Sequence, residues 1–186
     1  MKNKKGFPAY LAESIQMHGS LKKAPPVHLW NPPFCGDIDI KILRDGQWLY
    51  MGSPITRPAL VKLFASVLRK DNDGCYYLIT PAEKVRIQVE DAPFIMISVE
   101  QKLGYFLFTT NIDDKVILNK QHPLMITINP KTGEPSPYIR VKEKLDALVH
   151  RNVFYQLIEY AEERVINGKK CLGIISFDEF YLLGQT

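Results

Sequence analysis

Polar and apolar residues alternate along much of the chain with the period of two that a half-buried β-strand produces. In Glu83–Asp91 the apolar side chains of Val85, Ile87 and Val89 alternate with charged or amide side chains. The polar face of this predicted strand carries Lys84, Arg86, Gln88 and Glu90. Because both kinds of residue keep strict register, we expect one face to lie against a core and the other to meet solvent or a partner.

A hairpin is predicted before this strand. Asp37–Ile42 alternates in the same way, Asp45-Gly46 favours a tight turn, and Gln47–Met51 returns. Further strands are predicted over Cys75–Thr80, Phe94–Gln101, Tyr105–Thr110, Lys115–Leu118, Leu124–Ile128, Tyr138–Val141, Lys170–Ser176 and Phe180–Leu183.

Helices are predicted where apolar residues recur three and four positions apart. One opens at Arg57-Pro58 and continues to Lys70, with proline in its first turn. A longer one is predicted over Leu145–Val165. A short helix is predicted over Pro8–His18, followed by a proline-rich extended segment over Ser20–Pro33.

The two halves of the chain repeat one order of elements: hairpin, helix, glycine-containing turn, strand, polar corner and strand. Three similar pairs share an offset of 96 residues, namely Cys75/Cys171, Thr80/Ser176 and Glu83/Glu179. We interpret this as an internal duplication. The predicted fold class is α+β, with a basic helical arm over residues 1–24 and two related units over 25–92 and 93–186.

Charge changes this picture only at the N-terminus. The 186 residues carry a formal net charge of +4. Residues 1–23 hold five lysines and one glutamate, and the remainder balances with 19 basic and 19 acidic residues. The folded body is therefore not predicted to bind nucleic acid. No apolar run has the length of a signal peptide or a bilayer span, so we expect a cytoplasmic protein without a membrane partner.

Cysteines and histidines do not predict a metal or a cofactor. Cys35, Cys75 and Cys171 lie at least 40 positions apart, and the four histidines show no metal-ligand spacing. Cys35 differs from the other cysteines because it lies in a Pro/Gly-rich turn rather than in an apolar run. No catalytic residue is predicted, and catalysis is the less favoured interpretation.

An enzymatic alternative depends on Asp37 and Asp39. Two carboxylates on one face of a strand can share a divalent cation, as in nucleotidyltransferases. That pattern needs a Gly-Ser pair at a helix start upstream. Gly19-Ser20 does precede the aspartates, but four prolines occupy the place of the helix. Metal-dependent phosphoryl or nucleotidyl transfer is therefore kept only as an alternative function. The simpler interpretation is that Asp37 and Asp39 are two solvated aspartates on the exposed face of a hairpin strand.

A non-catalytic site is predicted on the polar face of Glu83–Asp91. Lys84 and Arg86, with Arg57 at a helix start, could hold a phosphate or carboxylate, the arginines through paired N–H donors. A solvated face, balanced by neighbouring acids, is the equally weighted alternative.

Several motifs resemble the bacterial domain-of-unknown-function family numbered twelve eighty-five. They are Asn31–Asp39, Gly52–Phe64, Tyr77–Phe94, Thr110-Asn111 and Pro137–Ile139. The resemblance implies a duplicated core whose C-terminal unit is loosely like a partly open pleckstrin-homology barrel with a helix. It also implies a nucleotide-like ligand at the interface of the units, a role in stress signalling, and no established enzymatic activity. The family motifs place Cys35, Asp37, Arg57, Glu83, Lys84, Arg86 and Asp91 in this sequence.

These observations favour a non-catalytic ligand-binding or regulatory protein. We expect a small anionic ligand at the interface of the two units, in a cleft lined by the Arg86 strand face and by the turn that carries Cys35, Asp37 and Asp39. Glu83 and Asp91 complete the candidate set. A third hypothesis is a protein- or nucleic-acid-binding adaptor that acts through the basic arm.

Overall fold

The computed structural model describes Glu13, Ile15 and residues 25–128 and 133–185. The chain divides into two compact units, Met1–Glu90 and Asp91–Thr186, and each is described by itself. The helix predicted over Pro8–His18, and the basic arm with it, lie largely outside the described residues. Within the described residues, no helix combines the length and apolarity needed to cross a membrane.

The first unit is a six-stranded sheet with one helix. A 3-10 turn over Val27–Leu29 precedes the sheet, and helix α1 spans Pro58–Ser66. The strands are β1 Phe34–Ile42, β2 Trp48–Tyr50, β3 Ser53–Pro54, β4 Leu68–Lys70, β5 Tyr76–Ile79 and β6 Lys84–Val89. Their order is β3-β2-β1-β6-β5-β4, and the central pair β1/β6 is parallel whereas the others are antiparallel.

The core of this unit follows from the alternation in the strands. Ile40 and Ile42, two positions apart in β1, are fully buried. Val85 and Ile87 are buried at alternate positions of β6 in the same way. Burying a side chain of this size contributes roughly 1.5–3 kcal/mol relative to leaving it exposed. The opposite side chains of β6 are consequently left on the outer face of the sheet.

Helix α1 is held by a proline start and an apolar face. Pro58 occupies its first turn, where a missing N–H costs nothing, and Phe64 is fully buried. The Phe64 ring stacks on Trp48, with 6.3 Å between ring centroids. The helix ends at Ser66, four residues earlier than predicted, because Leu68–Lys70 forms β4.

The second unit contains a six-stranded sheet, one helix and a three-stranded sheet. The large sheet consists of β7 Phe94–Lys102, β8 Tyr105–Thr110, β9 Lys115–Ile117, β10 Leu124–Ile128, β11 Pro135–Lys142 and β12 Leu145–Val149. Its order is β10-β11-β12-β7-β8-β9, with β12 and β7 parallel, and it forms a half-barrel. Helix α2 spans Arg151–Glu159, and the small sheet is β13 Glu162–Ile166, β14 Lys169–Ser176 and β15 Glu179–Gln185.

The two units confirm the predicted duplication. Each large sheet joins two three-stranded meanders through a parallel pair of a first and a last strand, β1 with β6 and β7 with β12. A second correspondence keeps the chain order, because both β1–β3 and β10–β12 are followed by a helix and three more strands. The 96-residue offset agrees with this second correspondence, in which β5 and β6 match β14 and β15. The Thr80 N–H donates to the Glu83 carbonyl, and Ser176 pairs with Glu179 at the equivalent turn.

The helix predicted over Leu145–Val165 is wrong in its limits. Leu145, Ala147 and Val149 are buried at alternate positions of β12, and α2 begins only at Arg151. The His150 side chain caps the helix by accepting a hydrogen bond from the Asn152 N–H. The apolar spacing of this segment satisfies both periods, and pairing with β7 and β11 decides for a strand.

Candidate functional site

A β-bulge at Gly36 brings two side chains of β1 to the outer face of the first sheet. Phe34 lies opposite Lys84 and Asp37 lies opposite Arg86, so three steps along β1 match two steps along β6. Without the extra residue, positions 34 and 37 would face opposite sides. Gly36 has a φ of 106°, a conformation that side chains other than glycine disfavour. The glycine therefore sets which side chains meet Arg86.

Asp37 and Arg86 form a bidentate ion pair across the parallel strands. Arg86 Nε donates to Asp37 Oδ1 at 2.7 Å and Nη2 donates to Oδ2 at 2.8 Å. The hydrogen bond from Arg86 holds the pKa of the Asp37 carboxyl below its usual range, and Asp37 raises the pKa of Arg86. The side chains of Arg86 and Asp37 are 46% and 61% exposed. The guanidinium is thus fixed in orientation while still open to solvent.

An aromatic side chain flanks this pair. The Phe34 ring is 55% exposed, and its centroid lies 6.0 Å from Cζ of Arg86. The ring also meets Tyr77 edge to face, with 6.2 Å between centroids and an interplanar angle of 88°. Lys84 Nζ lies 4.0 Å from the centroid of the Tyr77 ring. Aromatic faces and cations are therefore interleaved on one side of the sheet.

The second cation, Lys84, pairs with a largely buried carboxylate. Lys84 Nζ lies 2.5 Å from Asp71 Oδ2, and Arg69 Nε lies 2.6 Å from Asp71 Oδ1. Burial pushes the pKa of Asp71 upward, but its hydrogen bonds to Arg69 and Lys84 outweigh this and leave the pKa below the usual value. Asp71 is thus a charged carboxylate at neutral pH and fixes both cations.

Tyr77 is held by a neighbouring acid. Its hydroxyl donates to Asp73 Oδ2 at 2.6 Å, and this bond raises the pKa of Tyr77 to about 12. The same bond, together with one from the Cys75 N–H, lowers the pKa of Asp73. Tyr77 therefore presents a fixed ring to Phe34 and Lys84.

We refer to Phe34, Asp37, Lys84 and Arg86 together as the β1–β6 surface. Of its two cations, Arg86 pairs with Asp37, and Lys84 shares the Asp71 carboxylate with Arg69. The bonds to Asp37 use Nε and Nη2 of Arg86 and leave Nη1 without a carboxylate partner among the described residues. Such a surface can stack a planar group on Phe34 and donate hydrogen bonds to an anion.

Three predicted site residues lie near this surface without joining its bonds. Cys35 belongs to β1 rather than to a turn, is exposed, and its thiol donates to the Pro33 carbonyl at 3.4 Å. Asp39 is exposed on β1, two positions beyond Asp37. Glu83 precedes β6, and its N–H donates to the Thr80 hydroxyl at 3.1 Å.

Two further predicted residues are placed elsewhere. Arg57 directly precedes α1, where its carbonyl accepts hydrogen bonds from Leu60 and Val61. No hydrogen bond or ion pair joins its guanidinium to the β1–β6 surface within the described residues. Asp91 belongs to the second unit and accepts a hydrogen bond from the Tyr138 hydroxyl at 2.7 Å.

The structure offers no cluster of metal ligands in the part of the chain that it describes. No three His, Cys, Asp or Glu side chains converge there in a way that could hold an ion. Both oxygens of Asp37 accept hydrogen bonds from Arg86, so a cation at this carboxylate would lie beside the positive charge of the guanidinium.

Arg69, Asp71 and Asp73 support the candidate site but were not predicted from the sequence. Arg69 fell within the predicted helix, and the two acids fell in a predicted turn. Their side chains reach β5 and β6 only once β4 pairs with β5. The one available signal was the pair of acids flanking Asn72 before a glycine, which is also ordinary turn chemistry.

The fold defines an α+β protein with a duplicated, sheet-rich core. The chain belongs to the DUF1285 family. Residues 25–92 match its N-terminal model, "Domain of unknown function (DUF1285), N-terminal domain". Residues 93–183 match "Protein of unknown function (DUF1285), C-terminal domain". The family resemblance found in the sequence is thereby confirmed.

Two solved structures are similar to this chain. A DUF1285 family protein from Silicibacter pomeroyi DSS-3 is 42% identical, with a TM-score of 0.83 and 93% of each chain covered. A DUF1285 family protein from Shewanella baltica OS155 is 29% identical, with a TM-score of 0.52, and the match covers 64% of this chain and 90% of that one. No curated protein matches the chain.

Proposed function

We propose that this protein is a non-catalytic, regulatory ligand-binding protein whose β1–β6 surface takes a small anionic, nucleotide-like ligand. The observation that carries the proposal is the Arg86 guanidinium, which Asp37 holds in a fixed orientation beside the exposed ring of Phe34. A planar cation next to an aromatic face suits a ligand with an anionic group and a flat ring.

Preorganisation is the energetic argument for a ligand. A free arginine side chain loses rotamer entropy when it binds an anion, and here Asp37 has already fixed the guanidinium before a ligand arrives. The stacking of a base on an aromatic side chain contributes roughly 1–3 kcal/mol. Phe34 offers such a face while remaining 55% exposed.

The same geometry disfavours the enzymatic alternative. Transfer chemistry at Asp37 and Asp39 needs carboxylate oxygens that can coordinate a cation. Arg86 donates to both oxygens of Asp37, so its carboxylate is committed to orienting the guanidinium. Binding without catalysis therefore fits the described residues better. The stress-signalling role implied by the family resemblance stays a prediction.

The proposal is tested by thermal shift against a panel of nucleoside mono-, di- and triphosphates and cyclic dinucleotides, with calorimetry on any compound that shifts the midpoint. We expect at least one compound to stabilise the wild type. Arg86→Lys should lose most of the shift, because an ammonium cannot copy the bidentate geometry. Phe34→Leu should lose the preference for compounds that carry a base over plain phosphate.

A matched control is available in the second unit. Lys102 pairs with Glu100 at 2.6 Å, and their side chains are about as exposed as those of Arg86 and Asp37. Lys102→Met should leave every ligand shift intact. If no compound stabilises the wild type, or if Arg86→Lys retains the full shift, the ligand assignment is wrong.

A further inference from the structure

A chain of ion pairs and hydrogen bonds leads away from the β1–β6 surface toward the residues before β1. Lys84 Nζ lies 2.5 Å from Asp71 Oδ2, and Asp71 Oδ1 lies 2.6 Å from Arg69 Nε. Arg69 Nη1 then donates to two carbonyls, those of Val27 at 3.0 Å and Trp30 at 2.7 Å. We call residues 25–33 the connector, since they lead into β1.

The three charged side chains of this chain are shielded from solvent. Those of Arg69, Asp71 and Lys84 are only 17–19% exposed. Half-buried pairs of this kind are screened much less than surface pairs, so the loss of one member is felt by the others. A single carboxylate, Asp71, is the common partner of both cations.

The connector is attached at two points. Arg69 donates hydrogen bonds to the connector at the Val27 and Trp30 carbonyls. At the end of the connector, the Pro33 carbonyl accepts a hydrogen bond from the Lys84 N–H at 3.3 Å. The next residue is Phe34, the aromatic member of the β1–β6 surface. A change in the hold on the connector therefore acts directly on the side chain that flanks Arg86.

We infer that Asp71 is a positioning residue that couples Lys84 of the β1–β6 surface to the attachment of the connector. The ligand-dependent part of this inference rests on the proposed function. An anion that draws Lys84 Nζ off Asp71 leaves Arg69 with a less constrained partner and loosens its grip on the two carbonyls. By linkage, if the bound anion raises the opening equilibrium of the connector by some factor, then opening of the connector raises the affinity for that anion by the same factor.

Hydrogen exchange on the ligand-free protein tests the coupling. The N–H groups of Val27, Leu29 and Trp30 donate to carbonyls within the connector, so a peptide over residues 25–34 reports on its order. Lys84→Met removes the charge and keeps an apolar stem of similar length. We expect the three amides to exchange about tenfold faster, the change that the loss of one charge-assisted hydrogen bond predicts.

Arg86→Met is the matched control, because it removes a cation from the same face of β6 but one that bonds Asp37 rather than Asp71. It should leave connector exchange unchanged. Equal acceleration in both variants would mean that the sheet has loosened generally, and unchanged exchange in Lys84→Met would mean that Asp71 transmits nothing. Either result overturns the inference.

A second measurement separates this inference from the proposed function. Inorganic pyrophosphate serves as the anionic probe, with binding read by calorimetry and connector order read by exchange. Binding together with faster exchange supports both statements. Binding without any change in connector exchange overturns the coupling and leaves the surface as a binding site. Failure of nucleotides and pyrophosphate alike contradicts the proposed function, while the ligand-free comparison of Lys84→Met with Arg86→Met still decides the coupling.

Discussion

Asp37 and Arg86 lie 49 residues apart in the chain and meet as a bidentate pair, at 2.7 and 2.8 Å, across the parallel junction of β1 and β6. The pair joins the first strand of the unit to its last. It lies at the parallel pair that joins the two three-stranded meanders of the sheet. The same contact therefore belongs both to the fold and to the candidate site.

Substitutions of Asp37 separate its charge from its orienting role. Asn keeps the shape and one acceptor oxygen but removes the negative charge that competes with an anion for Arg86. We expect Asp37→Asn to bind the anionic ligand about three- to tenfold more tightly, as the loss of a like charge a few ångströms away predicts. Asp37→Ala should weaken binding, because nothing then orients the guanidinium. Calorimetry on both variants checks the order.

The stability of the protein should barely respond to the same changes, because the pair is exposed. A large fall in the melting temperature of Asp37→Asn would show that the pair is structural rather than preorganised for binding. Trp30 and Trp48 are the two tryptophans, both in the first unit, and their fluorescence follows the unfolding of that unit.

The Asp71 cluster predicts a pH dependence of the first unit. The folded-state pKa of Asp71 lies below its unfolded value near 3.9, because bonds to Arg69 and Lys84 outweigh the opposing effect of burial. Its contribution is therefore complete above that value and is lost as the pH falls through the lower, folded-state pKa. At pH 7, Asp71→Asn should lower the free energy of unfolding by about 1.5–3 kcal/mol.

This difference between Asp71→Asn and the wild type should shrink as the pH falls below about 4. Urea unfolding followed by tryptophan fluorescence at pH 7, 5, 4 and 3 measures it. Asp45→Asn is a suitable control, since the exposed Asp45 only accepts a hydrogen bond within the β1–β2 turn. A difference that stays constant down to pH 3 would mean that Asp71 is not held in its charged form.

Local patterns were enough to predict the strand that carries the candidate cations. The alternation in Glu83–Asp91 indicated which side chains of β6 leave the core, and Asp45-Gly46 indicated the β1–β2 hairpin; both follow from neighbours in the chain. The repeated order of elements and the resemblance to family motifs both predicted a duplicated core, and the shared sheet topology of the two units bears it out.

Non-local pairing is what the sequence could not supply. The parallel register of β1 on β6, and with it the Asp37–Arg86 pair, depends on a bulge at Gly36 that no periodicity reveals. Leu145–Val149 was wrongly predicted as helix for a related reason. Its apolar positions suit a helix or a strand, and only the neighbouring strands β7 and β11 decide between them.

The bulge itself is open to test. A Cβ at Gly36 would meet no atom within 4 Å, so any cost of Gly36→Ala comes from the backbone, whose φ is 106°. We expect a loss of about 1–2 kcal/mol in the stability of the first unit. Gly36→Asn should cost less, because asparagine tolerates positive φ better than alanine does. If Ala is as stable as the wild type, Gly36 does not fix the register that places Phe34 and Asp37 together.

In the second unit, substitution of Gly173 in β14 is expected to destabilise the protein for a different reason, because β15 lies close to this glycine. A Cβ there would lie 2.5 Å from the Tyr181 carbonyl oxygen and would overlap the ring of Phe180. We expect Gly173→Ala to destabilise the small sheet by roughly 1–3 kcal/mol, as overpacking does. Because the Phe180 ring also carries Arg164, whose Cζ lies 4.9 Å from its centroid, that contact should be lost too.

Gly184→Ala is the matched control for Gly173→Ala, since a Cβ at Gly184 meets nothing within 4 Å and its φ is not positive. Hydrogen exchange of peptides covering β14 and β15 should accelerate in Gly173→Ala and stay unchanged in Gly184→Ala. The cost should persist in a Phe180→Ala background, because the Tyr181 carbonyl is backbone and cannot swing aside. If removing the ring restores wild-type exchange to Gly173→Ala, the clash lies with the side chain alone and β15 is not packed as closely on β14 as its geometry indicates.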